Sequence, residues 1–176
     1  MKQCNICNFS CKNNIGTYVG KNAKVLFLFE SPTFQSDVDG RILSGPVMDL
    51  FSKYLEKYQI SLDDIAITYM VHCFPGNPQK DNFKLTNIPV LKKYYENCRH
   101  YLDNVMQEVK PKFVVTVGDR ATKYFLGDTK VNLFDVYGAF VESPIYNVKT
   151  LCIMDICTLY LKPQYRCFGD KSFEYI

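Results

Sequence analysis

The sequence predicts a three-layer αβα fold in which a central, mostly parallel sheet of four strands lies between two layers of helices. Short apolar runs bounded by turn residues alternate along the chain with longer segments whose apolar residues recur at helical spacing. The apolar runs are continuous, which is typical of parallel strands that are covered on both faces. Because the 176 residues contain no repeat, low-complexity tract or evident linker, we expect one domain over residues 1–176.

Four segments are predicted to form the strands of the sheet. They are Lys24–Glu30 (KVLFLFE), Ile65–Val71 (IAITYMV), Phe113–Val117 (FVVTV) and Val148–Met154 (VKTLCIM). Each segment is rich in β-branched and large apolar residues, which favour strands. The second segment also leads into the turn-rich sequence CFPGNPQ, which marks its end.

Three helical segments are predicted between these strands. Pro46 follows a glycine and is well placed to open a helix over residues 46–58. A long amphipathic helix is predicted from about Ile88 to Lys110, where Pro111 ends it. A short helix over Asp119–Leu126 precedes a glycine, which is a common helix terminator.

The carboxyl ends of the strands are the places where a functional site is expected. In open parallel sheets, ligands bind beyond these ends. The chain segments that fall there are Glu30–Pro32, Tyr69–Pro75, Gly118–Arg120 and Met154–Cys157. Candidate catalytic and binding residues are therefore sought in these four segments.

Composition and charge indicate the class of protein and its cellular location. The chain is 47% hydrophobic and 15% aromatic, as in globular proteins, and its net charge of +3 permits an anionic partner without requiring one. No apolar run approaches the roughly 20 residues that span a bilayer, so we expect no membrane segment. The first residues lack the pattern of a secretory signal, which predicts a reducing, intracellular location where disulfides are not expected. We also expect a monomer.

Cysteine spacing points to a metal centre. Cys4 and Cys7 form a C-x2-C pair, Cys73 follows the second predicted strand, and Cys98 lies in the long helix. Such a set suits either a 4Fe–4S cluster or a structural zinc, and ligand type alone does not separate them. Cys98 could instead be a buried core residue. Cys11 is a possible substitute ligand, whereas the three later cysteines have the character of core residues or bystanders.

The order of motifs resembles the uracil-DNA glycosylase superfamily, specifically its iron–sulfur branch, often called family four. The motifs that carry the resemblance are FESPT (29–33), DVDGRILSG (37–45), TYMVHCFPGN (68–77), CRHYL (98–102) and VKPKFVVTVGDRATKYFLG (109–127). Together with the early C-x2-C pair, they follow the family's order from about residue 4 to residue 162. The resemblance implies the α/β fold of that superfamily and a DNA-directed activity.

The resemblance also implies a ligand set for the metal. Cys4, Cys7, Cys73 and Cys98 match the positions that hold a 4Fe–4S cluster in the family. The segment between Cys73 and Cys98 is longer than is usual there and has the character of an inserted loop. We expect a 4Fe–4S cluster, with structural zinc as the alternative.

Catalytic and base-binding residues are implied in the same way. Glu30 matches the family's glutamate, which helps to position or activate water, and Ser31 and Pro32 follow it in the motif. Three other positions differ. Leu43 replaces the phenylalanine that stacks on the base, Tyr69 replaces the asparagine that pairs with uracil, and Asp155 replaces the histidine of a His-Pro motif. A protonated Asp155 could still donate a hydrogen bond to a departing base.

DNA contacts are expected from the loops and from the segment after the last strand. Backbone amides around Ser31–Thr33 and Gly118–Arg120 could hold phosphates near a helix start. Lys162 and Arg166 lie in the aromatic-rich LYLKPQYRCF, where the family inserts a loop into the minor groove. The competing interpretation of this last segment is ordinary packing and solvation.

Three functions follow as hypotheses. The first is a DNA glycosylase that flips a non-uracil or modified base and hydrolyses its N-glycosidic bond. The second is a catalytically inactive DNA-binding or scaffold subunit of a replication or repair complex, since three pocket residues differ from the family pattern. The third is an enzyme that acts on free modified bases or nucleotides. DNA is the expected partner in the first two.

Overall fold

The four predicted strands form the parallel centre of a six-stranded sheet. The computed structural model of the protein describes residues 6–7, 13–76 and 92–176. Its strands are β1 (Tyr18–Val19), β2 (Val25–Phe29), β3 (Ile65–Tyr69), β4 (Phe113–Val117), β5 (Phe140–Ser143) and β6 (Val148–Ile153). They lie in the order β1-β3-β2-β4-β6-β5, with β3, β2, β4 and β6 mutually parallel. The mostly parallel α/β class is confirmed.

The predicted count of four strands is corrected to six, because two antiparallel edge strands were missed. Strand β1 is two residues long and pairs with Ala66 and Ile67 of β3. Strand β5 pairs with β6, and only Ser143 among its residues is fully buried. Neither segment contains a continuous apolar run, because an edge strand needs no burial on both faces.

Helices cover both faces of the sheet. They are α1 (Phe34–Asp39), α2 (Pro46–Lys57), α3 (Lys92–Val109), α4 (Asp119–Leu126), α5 (Leu133–Val136), α6 (Ile156–Leu161) and α7 (Arg166–Phe173). The three predicted helices correspond to α2, α3 and α4, and the part of the second prediction before residue 92 lies outside the described residues. None of the helices that the structure describes is both long enough and apolar enough to span a bilayer.

One face of the sheet packs against α2, α6 and α7. Its core contains Phe27, Phe29, Ile67, Tyr69, Val115, Val117, Leu151 and Ile153. Phe51 of α2 is fully buried here, with its ring centroid 5.1 Å from that of Phe27 and 5.3 Å from that of Phe29. Phe173 of α7 stacks on Tyr54 of α2 at 4.8 Å, which ties the end of the described chain into this layer.

The opposite face packs against α3 and α4. Strand residues such as Leu26, Leu28 and Val114 alternate with those of the first face, as the period of a strand requires. Leu102 of α3 and Phe125 of α4 are buried against them. The sheet is therefore covered on both sides, which explains the continuous apolar runs in its central strands.

The parallel arrangement brings the carboxyl ends of four strands to one edge. Chain segments that are distant in sequence meet there, beginning with Glu30 after β2 and Gly118 after β4. The backbone N–H of Met70 and that of Val71 extend the pairing beyond β3 by donating to Phe29 (2.8 Å) and Glu30 (3.0 Å). This edge is the place where parallel sheets bind ligands, and it holds the candidate site.

Candidate functional site

Glu30 lies at the centre of the carboxyl edge and is contacted from two helices. Its Oε1 accepts a hydrogen bond from Arg120 Nη1 of α4 at 2.6 Å, and it lies 3.5 Å from the hydroxyl of Tyr95 in α3. The side chains of Arg120 and Glu30 are 40% and 29% exposed, so the ion pair is half-buried. Burial, and then the charge of Glu30, raises the pKa of Tyr95, so its phenol stays protonated and can donate.

Gly118 forms the turn that carries Arg120 to this position. Its φ of +93° is a conformation that side chains disfavour, and its N–H donates to Ile153 of β6 at 2.9 Å. A Cβ atom at Gly118 would lie 3.0 Å from the Cβ of Asp155. The glycine therefore allows the start of α4 to approach the end of β6 closely.

Asp155 follows β6 and caps the short helix α6. Its Oδ2 accepts from the backbone N–H of Thr158 at 3.0 Å and from the Thr158 hydroxyl at 3.3 Å. Burial raises the pKa of Asp155, and the nearby charge of Glu30 acts in the same direction, although the hydrogen bonds from Thr158 and Cys157 oppose them. The site thus places two carboxyl groups in unlike environments, one paired with a cation and one with a raised pKa.

The raised pKa of Asp155 predicts a stability that depends on pH. An ordinary aspartate has a pKa of about 3.9 in the unfolded chain. Because the folded state holds the proton more tightly, stability is greatest below that pKa and falls as pH rises toward the folded pKa. We expect the stability of wild type to fall relative to that of Asp155→Asn between pH 4 and pH 8. Urea unfolding at each pH measures this difference.

Asparagine is the suitable replacement because it keeps the capping oxygen and does not titrate. The pH dependence that the two proteins share cancels in the comparison. Parallel stability curves for wild type and Asp155→Asn would contradict the raised pKa of Asp155.

Tyr69 ends β3 and is packed under the same edge. It is only 1% exposed, and its ring lies between those of Phe29 (6.1 Å) and His72 (6.0 Å). Among the described residues, its hydroxyl has no hydrogen-bond partner. Burial raises the pKa of Tyr69, and the Ser36 side chain, which approaches the hydroxyl without reaching hydrogen-bond geometry, has a smaller opposite effect. Buried hydroxyls without a hydrogen-bond partner are rare in folded proteins.

The other predicted pocket residues surround the loop between β2 and α2. Ser31 is half-buried and Pro32 is buried directly after Glu30. Leu43 is half-buried against the first core and has a φ of +57°, which is uncommon for a leucine. The Thr33 side chain caps α1 by accepting from the Ser36 N–H at 3.0 Å.

The residues predicted to contact DNA lie in two places. Gly118 and Arg120 belong to the carboxyl edge, where Arg120 is paired with Glu30. Lys162, after α6, and Arg166, at the start of α7, are both exposed. Leu161, which precedes Lys162, is 57% exposed. The ammonium of Lys162 lies 5.8 Å from the centre of the Tyr165 ring, within the range of a cation–π contact.

Three of the four predicted metal ligands are described, and they lie around the first half of α3. Cys73 and Cys98 are both 5% exposed and share an apolar cluster with Val71. The thiol of Cys7 accepts from Asn97 Nδ2 at 3.4 Å, which places Cys7 beside the neighbour of Cys98. Cys4, like Cys11, lies outside the described residues.

The contacts of the described cysteines bear on whether they could bind a metal. The Asn14 side chain donates to Cys73 Sγ at 3.7 Å. The described cysteines, which include the three candidate ligands, form no disulfide with one another. Within the described ranges, no group of three or more His, Cys, Asp or Glu side chains is arranged to hold a metal ion. Cys73 and Cys98 share one cluster, and Cys7 contacts helix α3, which carries Cys98, through Asn97. Thiols are the donors of iron–sulfur and zinc sites, so these residue types fit either group.

Sequence reasoning missed several residues of this site. Tyr95, Asn97 and Asn14 contact Glu30, Cys7 and Cys73, respectively, from segments that no motif singled out. Tyr95 is three positions before Cys98, and helical periodicity places the two on one face of α3. That spacing was the one available signal for it.

Comparison with known proteins agrees with this arrangement. A family model described as the uracil DNA glycosylase superfamily matches residues 17–166. The type-4 uracil-DNA glycosylases of Saccharolobus solfataricus and Sulfurisphaera tokodaii are 24% and 25% identical, over 85% and 84% of this chain and 67% and 63% of their own lengths. The Archaeoglobus fulgidus protein of the same name is 24% identical, over 98% of this chain and 86% of its own length.

Proposed function

Because this chain belongs to the uracil DNA glycosylase superfamily, we propose that it is a DNA glycosylase, which hydrolyses the bond between a base and its deoxyribose. The observation that carries the proposal is the Glu30 carboxylate at the carboxyl edge of the sheet, held by Arg120 and close enough to Asp155 to raise its pKa. The names of the relatives support the reaction class, while the aligned region covers about two thirds of two of them.

The reaction needs two kinds of charge stabilisation. A base inside a duplex is out of reach, so the nucleotide must first swing out into a pocket. Cleavage of the N-glycosidic bond then develops positive charge on the sugar and negative charge on the departing base. A carboxylate near the sugar and a proton donor near the base meet these demands.

Glu30 and Asp155 are suited to these two roles. We assign Glu30, which is paired with Arg120, to the sugar side, where it stabilises positive charge and orients the attacking water. Asp155, whose pKa is raised, can carry a proton and donate a hydrogen bond to the departing base. Two carboxyl groups in unlike environments thus take unlike parts in one reaction.

Base recognition is assigned to Tyr69, with Ser31, Pro32 and Leu43 lining the pocket. An amide offers a donor and an acceptor together to the edge of uracil, whereas a phenol presents one hydroxyl on a larger ring. The buried Tyr69 hydroxyl has no partner in the described part of the chain, which supports a role in meeting a ligand. We therefore propose that the target is a modified base other than uracil.

Base release from defined oligonucleotides tests this function. Duplex and single-stranded DNA bearing uracil, hydroxymethyluracil, mismatched thymine or another modified base is incubated with the protein, and abasic sites are then cleaved with alkali. We expect release of a modified base to exceed release of uracil. A preference for uracil would refute the assigned target, and no release from any substrate would refute the glycosylase.

Tyr69→Phe is expected to separate recognition from folding. Removing a buried hydroxyl that lacks a partner should raise the free energy of unfolding by about 1 kcal/mol. The same change should reduce discrimination among the bases of the panel, because the pocket loses a polar group. Urea unfolding and relative release rates measure the two effects.

Tyr54→Phe is a matched control for that substitution. The Tyr54 hydroxyl donates to the backbone oxygen of Arg166 at 3.2 Å. Its removal should therefore lower the free energy of unfolding by about 1 kcal/mol and leave base discrimination unchanged. Equal destabilisation by both substitutions would contradict the proposed state of Tyr69.

A second candidate function is a non-catalytic DNA-binding or scaffold subunit of a repair or replication complex. Two observations favour it: Glu30 is neutralised by Arg120, and Tyr69 is 1% exposed where a base would need room. This function predicts salt-sensitive DNA binding that persists in Glu30→Gln, with no base released by wild type.

We propose that Cys4, Cys7, Cys73 and Cys98 hold a 4Fe–4S cluster, with structural zinc as the alternative. Thiolates are the ligands of both groups. When bound, such a group would connect the first residues of the chain, the end of β3 and helix α3. Its contribution is to hold these segments, and the residues of the carboxyl edge carry the reaction.

DNA is assigned to the surface that flanks the carboxyl edge. Backbone N–H groups near Thr33 and Gly118 can meet phosphates, and the exposed Lys162 and Arg166 add positive charge beyond α6. Leu161, exposed beside Lys162, offers an apolar side chain to the opened base stack. Loss of either basic residue should weaken binding to all sequences and reduce its salt dependence.

A further inference from the structure

Arg120 is directed at the carboxylate in the middle of the site. Its Nη1 lies 2.6 Å from Glu30 Oε1, and the Tyr95 hydroxyl lies 3.5 Å from the same oxygen. Arg120 belongs to α4 and Tyr95 to α3, two helices on one face of the sheet. Glu30 is therefore held at one oxygen by donors from two separate elements.

The contacts restrict how the carboxylate can point. A glutamate side chain has several rotatable bonds, and a half-exposed one would otherwise occupy more than one rotamer. Fixing Oε1 leaves Oε2 as the oxygen that can meet water or sugar. Reacting groups must be held in a narrow range of geometries, and a misplacement of about 1 Å can cost roughly 100-fold in rate.

We propose that Arg120 is a positioning residue for Glu30: its guanidinium fixes Oε1, with help from Tyr95, and thereby presents Oε2 to the reacting nucleotide. The inference rests on the proposed function and adds a residue to it. Arginine suits the role because its planar group is always charged and keeps its donors in a fixed fork. The short approach of Gly118 to Asp155 sets the start of α4, and hence Arg120, against the edge.

Two other roles for Arg120 make different predictions. As a phosphate ligand, it would contribute to DNA affinity and its salt dependence while leaving the rate at saturation unchanged. As a purely structural ion pair, it would affect folding alone, although a half-exposed pair adds little to stability. A positioning role changes the rate of the bound complex without changing affinity.

The experiment compares Arg120→Ala, Arg120→Lys and Lys123→Ala with wild type. Lys123 is the matched control, since it lies in the same helix one turn later and pairs with Asp119 at 2.8 Å, away from Glu30. Single-turnover release is measured on the substrate that wild type cleaves best, and DNA affinity is measured by fluorescence anisotropy. Thermal unfolding verifies that each variant folds, and release by Arg120→Ala is repeated with added methylguanidinium.

We expect Arg120→Ala to slow release in the bound complex about 100-fold, with affinity within threefold of wild type. Methylguanidinium should restore at least a tenth of the lost rate to Arg120→Ala and should not affect Lys123→Ala. The release rate of Arg120→Lys should lie between that of Arg120→Ala and that of wild type, because an ammonium keeps the charge without the fixed fork of donors. The Arg120→Lys variant also tests the inference if Arg120→Ala fails to fold.

Several outcomes would overturn the inference. One is a wild-type rate at saturation in Arg120→Ala, whether or not affinity falls. Another is a slow variant that methylguanidinium does not rescue and whose melting temperature is reduced. If wild type releases no base, the glycosylase proposal fails and this inference fails with it. If wild type is active and Arg120→Ala matches Lys123→Ala, only the positioning role is refuted.

Discussion

Glu30→Gln is expected to lower the rate of base release by about 10²- to 10⁴-fold while leaving the fold and DNA affinity intact. Glutamine retains an oxygen that can accept from Arg120, so the local structure should persist. It lacks the negative charge that stabilises the sugar and orients water. Single-turnover release and anisotropy on one oligonucleotide measure the two properties separately.

Glu142→Gln is the control for this substitution. Glu142 lies on the exposed face of the edge strand β5. Its substitution by glutamine removes the same charge at a position away from the site. It should release base at the wild-type rate. An active Glu30→Gln protein would remove Glu30 from the reaction and leave the superfamily membership unaffected.

Cys73→Ser is expected to abolish iron binding. Anaerobic purification of wild type should give a brown protein with about four iron atoms per chain, as a 4Fe–4S cluster requires. Loss of one thiolate should reduce iron to background and lower the melting temperature, since the binding free energy of a structural metal contributes to folding. Metal analysis, visible absorption and calorimetry follow these changes.

Cys167→Ser provides the comparison, because Cys167 is exposed in the first turn of α7 and lies outside the cluster of Val71, Cys73 and Cys98. This variant should remain brown and keep its melting temperature. A colourless wild type that contains zinc would favour the zinc alternative. Iron retained by Cys73→Ser would exclude Cys73 from the ligand set.

The central sheet could be predicted because its strands carry their own signal. Strands β2 and β4 are continuous apolar runs, and burial on both faces demands such runs. Strand β5 had no such signal, since most of its side chains face solvent. Helix α6 was missed for a related reason: it is short, and its start is marked only by Asp155, which the family motif presented as a catalytic position.

The proximity of the candidate residues could be predicted from the sequence, but their contacts could not. Parallel strands place Glu30, Gly118 and Asp155 at one edge, so their proximity follows from topology. The backbone amides of Gly118–Arg120 were predicted to meet DNA phosphate, but the pairing of the Arg120 side chain with Glu30, 90 positions away in the sequence, was not predicted. Such a pairing depends on where α4 lies against β2, and no local pattern encodes that position.

Helix α3 carries residues of both the candidate active site and the candidate metal site. Tyr95, which contacts Glu30, and Cys98, a candidate metal ligand, are three residues apart, about 4.5 Å along the helix axis. A helix is stiff over one turn, so a displacement at the thiol is carried to the phenol. Oxidation of Cys98 would therefore displace Tyr95 and, through it, the Glu30 carboxylate.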